Sequence, residues 1–378
     1  MKRLGDYIRL VDVRNRDLAV TRLVGLTIDK DFIPSVANVI GTDLSKYKVI
    51  QQEQFACSLM QVSRDGKMPI AMFKGEDAIM SPAYPLFEVI DKSTLLPQYL
   101  MMWFARKEFD REASFYAIGG VRGNLTWEDF CDFKLPVPSI DHQRQIVVEY
   151  ETLSRRISVN KQLIDKFEET AQTLYRKMFV DDIDKEHLPK GWRLGTLGDI
   201  TDVKSGFSFK SSMWRNSGVP VIKISSISNK SIRIEDCDYT DIDTINENKP
   251  LCARYGDLLI AMSGATIGKF AINFNKQNLF VNQRVGKFSL GENPIVNAPF
   301  LYCTLSTKTI QNEIHSIGGN SAQENISPDG ILKIEIPFSY TTIKRFNVIM
   351  QPLFNSISIY WNQNECLQKS KELLLAMM

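Results

Sequence analysis

The stretches whose residue types could make a catalytic site come first, and none of them completes one. Ser263-Gly264-Ala265-Thr266-Ile267-Gly268-Lys269-Phe270 has the glycines and the lysine of a phosphate-cradling loop. It sets three residues between the glycines where that loop needs four, and Phe270 stands where a Mg2+-binding Ser or Thr would follow the lysine. Pro328-Asp329 with Glu335-Ile336-Pro337 has the acidic residues of a metal-dependent nuclease set but no lysine to complete it. Asn293-Pro294-Ile295 fails the Asn-Pro-Pro-aromatic pattern of an amino-methyltransferase, and no glycine-rich dinucleotide fingerprint occurs. Cys57, Cys131, Cys237, Cys252, Cys303 and Cys366 are scattered without a Cys-x-x-Cys pair, and His142, His187 and His315 stand apart. Neither set has metal-ligand spacing, so the reading is no catalytic residue, no metal, and reduced thiols in a cytoplasm.

What remains is hydrogen-bonding and basic side chains in glycine-containing loops between short apolar runs. In the second half these are Lys204 to Lys210, Lys223 to Ser226, Met262 to Thr266, Asn282-Gln283-Arg284, and Gly318 to Gln323. In the first half they are Arg14-Asn15-Arg16, Gln61 to Arg64, Lys67, Ser81, and Gly119 to Asn124. Arg and Lys neutralise phosphates, Asn, Gln, Ser and Arg read base edges, and glycine lets backbone approach a ligand closely. Each such residue taken singly is more often an ordinary solvated loop residue; as loops duplicated on two modules they favour nucleic acid. The formal net charge is only +2, so a nucleic-acid surface must be local. Met1 to Asp6 has no signal-peptide core, and no apolar run approaches the roughly 18 residues of a membrane span.

Something must position those loops. Ile146, Tyr150, Leu153, Ile157, Asn160, Ile164, Phe167, Ala171, Leu174 and Met178 follow alternating steps of four and three, the seam of a long helix packed on another. Asn160, the polar seam position, is a register device. Phe346, Met350, Leu353, Ile357, Tyr360, Asn364, Leu367, Lys371, Leu374 and Met378 repeat the stripe, weakened at Asn364 and Lys371. The bland alternative is two unrelated helices, each buried in its own domain. Other echoes favour a repeat: Leu4-Gly5-Asp6 with Leu197-Gly198-Asp199 (197 − 4 = 193), Gly119-Gly120 with Gly318-Gly319 (318 − 119 = 199), and Leu135-Pro136 with Ile336-Pro337 (336 − 135 = 201). Ile70-Ala71-Met72 with Phe270-Ala271-Ile272, and Tyr99-Leu100 with Phe300-Leu301, belong to the same series.

The expected fold is therefore α/β (α+β), two globular modules separated by two long antiparallel coiled-coil helices, a pseudo-two-fold internal repeat. The expected boundaries are 1–138 for the first module, 139–180 for the first long helix, 181–340 for linker and second module, and 341–378 for the second long helix. Strands are expected at Leu23–Ile28, Phe55–Gln61, Ile70–Phe73 and Leu86–Ile90, then at Val219–Ile224, Asp257–Met262, Lys269–Phe274 and Leu279–Val281. One small helix is expected over Pro97–Ala113 and another over Pro299–Ile317. Ser139 or Asp141 would cap the first long helix, and Pro352 would kink or delay the second.

The chain resembles the specificity subunit of type I restriction-modification systems over its whole length. The resemblance rests on Leu188-Pro189-Lys190-Gly191-Trp192 before Leu197-Gly198-Asp199-Ile200, and on Val203 to Phe207, Val219 to Ile224 and Asp257 to Ile260. It continues through Phe280 to Arg284, Gly319 to Ile326, and Leu135-Pro136-Val137-Pro138 followed by Gln143-Arg144-Gln145-Ile146. The first module departs: Val11 to Asn15 replaces a Ser-Gly pattern, and Gly119 to Asn124 a longer loop. The resemblance implies a sequence-specific DNA-binding adaptor without catalysis, each module reading half of a split target and the helices setting the spacer. A helix of about 35 residues is about 50 Å long, against roughly 34 Å for half-sites one turn apart. It further implies double-stranded DNA, two adenine-N6 methyltransferase subunits and restriction/translocase subunits as partners. S-adenosylmethionine, Mg and ATP would belong to those partners and no cofactor to this chain.

The residues expected at phosphates or guanines are Lys204, Lys210, Lys223 and Arg284. Ser205, Ser225, Ser263, Asn282, Gln283, Asn320 and Gln323 are expected at DNA bases or sugars. The first module would contribute Arg14, Arg16, Arg64, Lys67 and Arg122. Two other classes stay open: a coiled-coil scaffold with protein-binding modules, and a reader fused to a nuclease or methylase activity.

Overall fold

The computed structural model describes residues 1–35, 41–60, 62–118, 125–228, 230–318 and 325–378. Contacts divide them into two compact units, Met1–Arg156 with Leu367–Met378, and Ile157–Cys366.

In the first unit an antiparallel sheet is built from β1 (Ile8–Val11), β2 (Phe55–Cys57), β3 (Ile70–Met72) and β4 (Leu86–Val89), in the order β1-β4-β2-β3. Phe55 lies opposite both Phe87 and Met72, and the Phe55 and Phe87 rings stack at 5.0 Å. Such cross-strand aromatic pairs fix the register of short strands. Helices α1 (Pro97–Phe104), α2 (Lys107–Ile118) and α3 (Trp127–Asp132) close over this face and bury Phe104, Phe109 and Phe130 against it. Pro97 opens α1, where its missing N–H costs nothing. Thr126 and Asp129 cap α3 reciprocally.

A long helix, α4 (Ile140–Phe179), follows. Ser139 caps it, its carbonyl accepting from Gln143 N at 3.0 Å and its hydroxyl from His142 N at 3.4 Å. In the first unit, Ile146 and Tyr150 of this helix and Leu374 near the C-terminus pack on the module core.

The second unit repeats the plan. Strands β5 (Val203–Ser205), β6 (Leu258–Ala261), β7 (Phe270–Ile272) and β8 (Val285–Phe288) take the antiparallel order β5-β8-β6-β7. This is the order of β1-β4-β2-β3, with starts offset by 203 − 8 = 195, 285 − 86 = 199, 258 − 55 = 203 and 270 − 70 = 200. Helices α5 (Pro294–Leu305), α6 (Lys308–Gly318) and α7 (Pro328–Leu332) match α1 to α3, and α8 (Tyr340–Ala376) matches α4. A second sheet in this unit joins Val219–Ile222 to Leu279–Val281 in parallel.

Within the second unit α4 and α8 pair antiparallel: Tyr175 meets Phe346 at 6.0 Å, Phe167 stacks on Tyr360 at 6.1 Å, and Asn160 Nδ2 donates to Asn364 Oδ1 at 2.9 Å. Of the expected seam, Ile157 and Ile357 are buried in the core of this unit, and Ile164, Phe167, Leu174 and Leu353 pack on it. Leu153, Tyr360 and Leu367 are half-buried. The two weak seam positions have partners as well. Asn364 meets Asn160, and Lys371 lies over the Tyr150 ring at 4.5 Å in the first unit.

Four expectations need correction. The small helix of each module is two helices, broken at Ala105-Arg106 and Ser306-Thr307, because the chain must turn to put Phe109 and Ile310 back on the core. The second pair begins at Pro294, and Pro299 lies inside α5, where Asn347 Oδ1 takes up the N–H of Phe300 at 2.8 Å. Helix α8 starts at Tyr340 and continues past Pro352; the ring is exposed, and so is Val348, whose carbonyl loses its donor there. Strands β1, β5 and β8 fall in stretches too polar or too short for alternation to show.

Candidate nucleic-acid interface

In the second unit the expected loops converge, and backbone hydrogen bonds hold them. Phe207 N donates to Val281 O at 2.8 Å and Gln283 N to Phe207 O at 2.9 Å, which joins the 204–210 loop to Asn282-Gln283-Arg284. Asn282 N donates to Ile222 O at 3.0 Å, adding the segment that leads to Lys223 and Ser225. Met262 N donates to Arg284 O, and Ile326 N to Met262 O, both at 2.9 Å, adding Ser263 and the chain after residue 324. Gly206 is obligatory here, since a Cβ would sit 2.1 Å from Val281 O.

Side chains on this cluster divide into free and committed. Lys204, Lys210 and Arg284 are exposed and have no ion-pair partner among the described residues. Ser205, Ser225 and Gln283 are exposed, and Asn282 is half-buried with Oδ1 accepting from Arg284 N at 3.3 Å. Lys223 is committed: it pairs with Asp238 at 2.5 Å and lies 4.0 Å above the Trp214 ring. The Ser263 Oγ is buried and has no hydrogen-bond partner among the described residues. Lys269, outside the expected set, is exposed beside the same loop. The stretch Ser263 to Lys269 is a β6–β7 connection closed by the turn Gly264–Thr266, whereas a phosphate loop leads from a strand into a helix.

The first unit does not gather its candidates in the same way. Arg14 is bound to Asp12 at 2.7 Å and donates to Lys46 O at 2.7 Å. Its hydrogen bond holds the Asp12 carboxyl below the usual range. Lys67 pairs with Asp29 at 3.2 Å. Arg16 is exposed and unpaired among the described residues. Arg122, Asn320, Gln323 and the side chain of Arg64 lie outside the described residues.

Among the described residues no group of His, Cys, Asp or Glu could hold a metal, and no helix is long and apolar enough to cross a membrane. Burial pushes the Cys237 thiol up to about 12 and the Tyr302 hydroxyl well above its ordinary value. Neither change of charge is available near neutral pH.

Residues 189–359 match the family model described as type I restriction modification DNA specificity domain, which defines the class of the second module. Two curated relatives come from Methanocaldococcus jannaschii. The type I restriction enzyme MjaVIII specificity subunit is 24% identical over 262 residues, 65% of this chain and 61% of that protein. The MjaIX specificity subunit is 22% identical over 304 residues, 76% of this chain and 69% of that protein. The chain thus spans about three fifths of the MjaVIII protein that it matches. In fold it resembles the crystal structure of the type I restriction-modification system S subunit from M. genitalium, with TM-score 0.55 and 16% identity, covering 99% of this chain and 94% of that one. Residues 189–359 thus match a type I restriction modification DNA specificity domain, and the chain is similar in sequence to type I restriction enzyme specificity subunits.

Proposed function

We propose that the chain is the non-catalytic, sequence-specific DNA-binding subunit of a type I restriction-modification complex. Each module reads one half of a bipartite target, and the paired helices set the spacer between the halves. The observation that carries the reading is the second-unit loop cluster. It presents Lys204, Lys210, Arg284 and Lys269 uncommitted beside exposed Ser205, Ser225 and Gln283. Cations of this kind position a duplex, and short polar side chains beside them read base edges. The partners are double-stranded DNA, two adenine-N6 methyltransferase subunits docked on the helices, and restriction/translocase subunits, in the cytoplasm. S-adenosylmethionine, Mg and ATP are bound by those subunits.

The test is to map methylated adenines in cells expressing this chain with its methyltransferase. The expected result is a split motif whose two halves change independently when the modules are exchanged one at a time. A continuous motif, or methylation indifferent to the exchange, overturns the reading. A salt-dependent gel shift of the purified chain separates it from a protein-binding scaffold, which would shift DNA at no salt concentration.

A further inference from the structure

The two modules differ at one sheet edge. In the second unit β7 has a further neighbour: Ser231, in the strand Ser231–Ile232, pairs in parallel with Ile272, and Ile272 N donates to Lys230 O at 3.1 Å. The carbonyl of Phe274 accepts from Asn362 Nδ2 at 3.2 Å, and the Phe274 ring lies 5.9 Å from Trp361. In the first unit β3 is the last strand of its sheet. Phe73 N donates to Gln54 O at 2.7 Å and Ser58 N to Pro69 O at 2.8 Å, so residues 69, 71 and 73 bond inward to β2. Alternation then turns the N–H and C=O of Met72 outward. Neither outward group of Met72, nor the carbonyl of Lys74 that aligns with Phe274 O, has a partner among the described residues.

The neighbouring hairpin of the first unit, Val24–Leu26 with Phe32–Pro34, does not supply one. Its tip residue Lys30 has φ 65°, as Lys230 has φ 59°, an offset of 230 − 30 = 200. Lys30 goes instead to Asp110 at 2.8 Å and to the carbonyl of Phe104, and the hairpin makes no backbone hydrogen bond to β3. Met72 therefore lines a groove of about 340 Å³ floored by Met101, Met102 and Tyr150. Lys74 and Arg155, exposed and without an ion-pair partner among the described residues, line it against one acid, Glu151. An adjoining depression of about 220 Å³ is lined by Arg22, Lys30 and Lys74 against one acid, Asp31.

We infer that this edge takes an extended, acidic segment of a partner polypeptide as an added strand. Three features fit that occupant. The unpaired main-chain groups of Met72 match a strand, as the second unit shows with its own chain. The methionine floor adapts to an apolar side chain, and the basic rim matches acidic flanks. The site lies in one module only and does not depend on DNA reading.

The probe is the peptide acetyl-Glu-Val-Thr-Val-Glu-Val-amide with the full chain, followed by hydrogen exchange at residues 70–75 and by fluorescence anisotropy of a labelled copy. The expected result is saturable binding with a Kd below about 1 mM and slowed exchange at Met72. Lys74→Glu with Arg155→Glu, both on exposed positions, weakens binding at least about tenfold, as does Lys74→Phe with Met101→Tyr, which introduces the second unit's side chains. Peptides with Lys in place of Glu, or Pro in place of Thr, bind at least about tenfold more weakly. No saturation, binding indifferent to these changes, or protection of Met72 by a DNA duplex and not by the peptide overturns the proposal.

Discussion

Gln143 offers a quantitative test of how a module is fixed to its long helix. It is fully buried in the first turn of α4, and each polar atom of its amide is used. Oε1 accepts from Leu96 N, and Nε2 donates to Thr94 O and to Pro138 O, each at 2.9 Å. One side chain thus ties the entry of α1, the turn before it and the extended Leu135 to Pro138 segment to α4. In the second unit Asn347, in the second turn of α8, ties that helix to the interior of α5, accepting from Phe300 N at 2.8 Å and donating to Asn297 O at 3.4 Å. Gln143→Leu keeps the volume and removes all three bonds. At about 1 kcal/mol net each, the loss is about 3 kcal/mol, a factor of roughly 100 in the local opening equilibrium. The Leu96 N–H is the group left most costly, while Thr94 is exposed and its carbonyl can turn to water. Hydrogen exchange over residues 94–104 should accelerate by about that factor, with residues 294–305 unchanged. Gln143→Glu keeps the acceptor but loses both donors. Burial raises its carboxyl pKa, so this variant should be more stable in mild acid and lose that stability as pH rises through the raised value. An effect below about 1 kcal/mol for Gln143→Leu, or one spread equally over both units, would refute the clamp.

The other predictions concern the seam, the acid side and the loops. Asn160→Leu leaves the half-buried Asn364 amide facing an apolar side chain and should cost about 1–3 kcal/mol in chemical denaturation, whereas Asn160→Leu with Asn364→Leu should recover most of it and populate other registers, detectable by cysteine cross-linking. Lys92 and Gln98 hydrogen-bond Glu53 and hold its carboxyl below the usual range, so its contribution is present above the ordinary glutamate pKa. It is lost as pH falls through the lowered value, and Glu53→Gln should flatten the acid limb of the first unit's unfolding curve. Replacing Lys204 or Arg284 by Ala should weaken DNA binding and lower the salt slope by about one if the lost contact is a phosphate, and should relax one target position if it is a base. Deleting seven residues from each long helix should shorten the methylated spacer by roughly three base pairs, at about 1.5 Å per residue against 3.4 Å per pair, with both half-sites unchanged.

The repeat and the seam were legible because both depend on spacing. Apolar steps of four and three survive any loop sequence, and the sheet order that β1 to β4 share with β5 to β8 sits within a few residues of the offset that short echoes such as Ile70-Ala71-Met72 suggest. Asn364 and Lys371 looked like faults in the second stripe because their compensation is tertiary, through Asn160 and the Tyr150 ring. The candidate site was legible by segment and not by side chain. Which lysine of a basic loop is free depends on acids distant in sequence: Asp238 takes Lys223, and Asp29 takes Lys67. Nothing local to Ser263 says that its hydroxyl turns inward.

The form of the loop cluster explains why its side chains can differ between modules while the fold does not. Its closing bonds run between main-chain atoms: Phe207 N to Val281 O, Gln283 N to Phe207 O, Met262 N to Arg284 O and Ile326 N to Met262 O. A main-chain circuit specifies loop position without specifying side chains, except where backbone approach excludes a Cβ, as at Gly206. The first module uses the same device with other residues. Leu125 N donates to Leu59 O at 2.9 Å, and Asn15 N to Tyr47 O at 3.0 Å. The side chains that hold module to helix, Gln143 and Asn347, lie instead in the first turn of α4 and the second turn of α8, on the core side of each unit. Loop side chains are thereby released from the work of stability, and substitutions among Lys204, Ser205, Gln283 and Arg284 should alter DNA binding while leaving the unfolding free energy within about 0.5 kcal/mol.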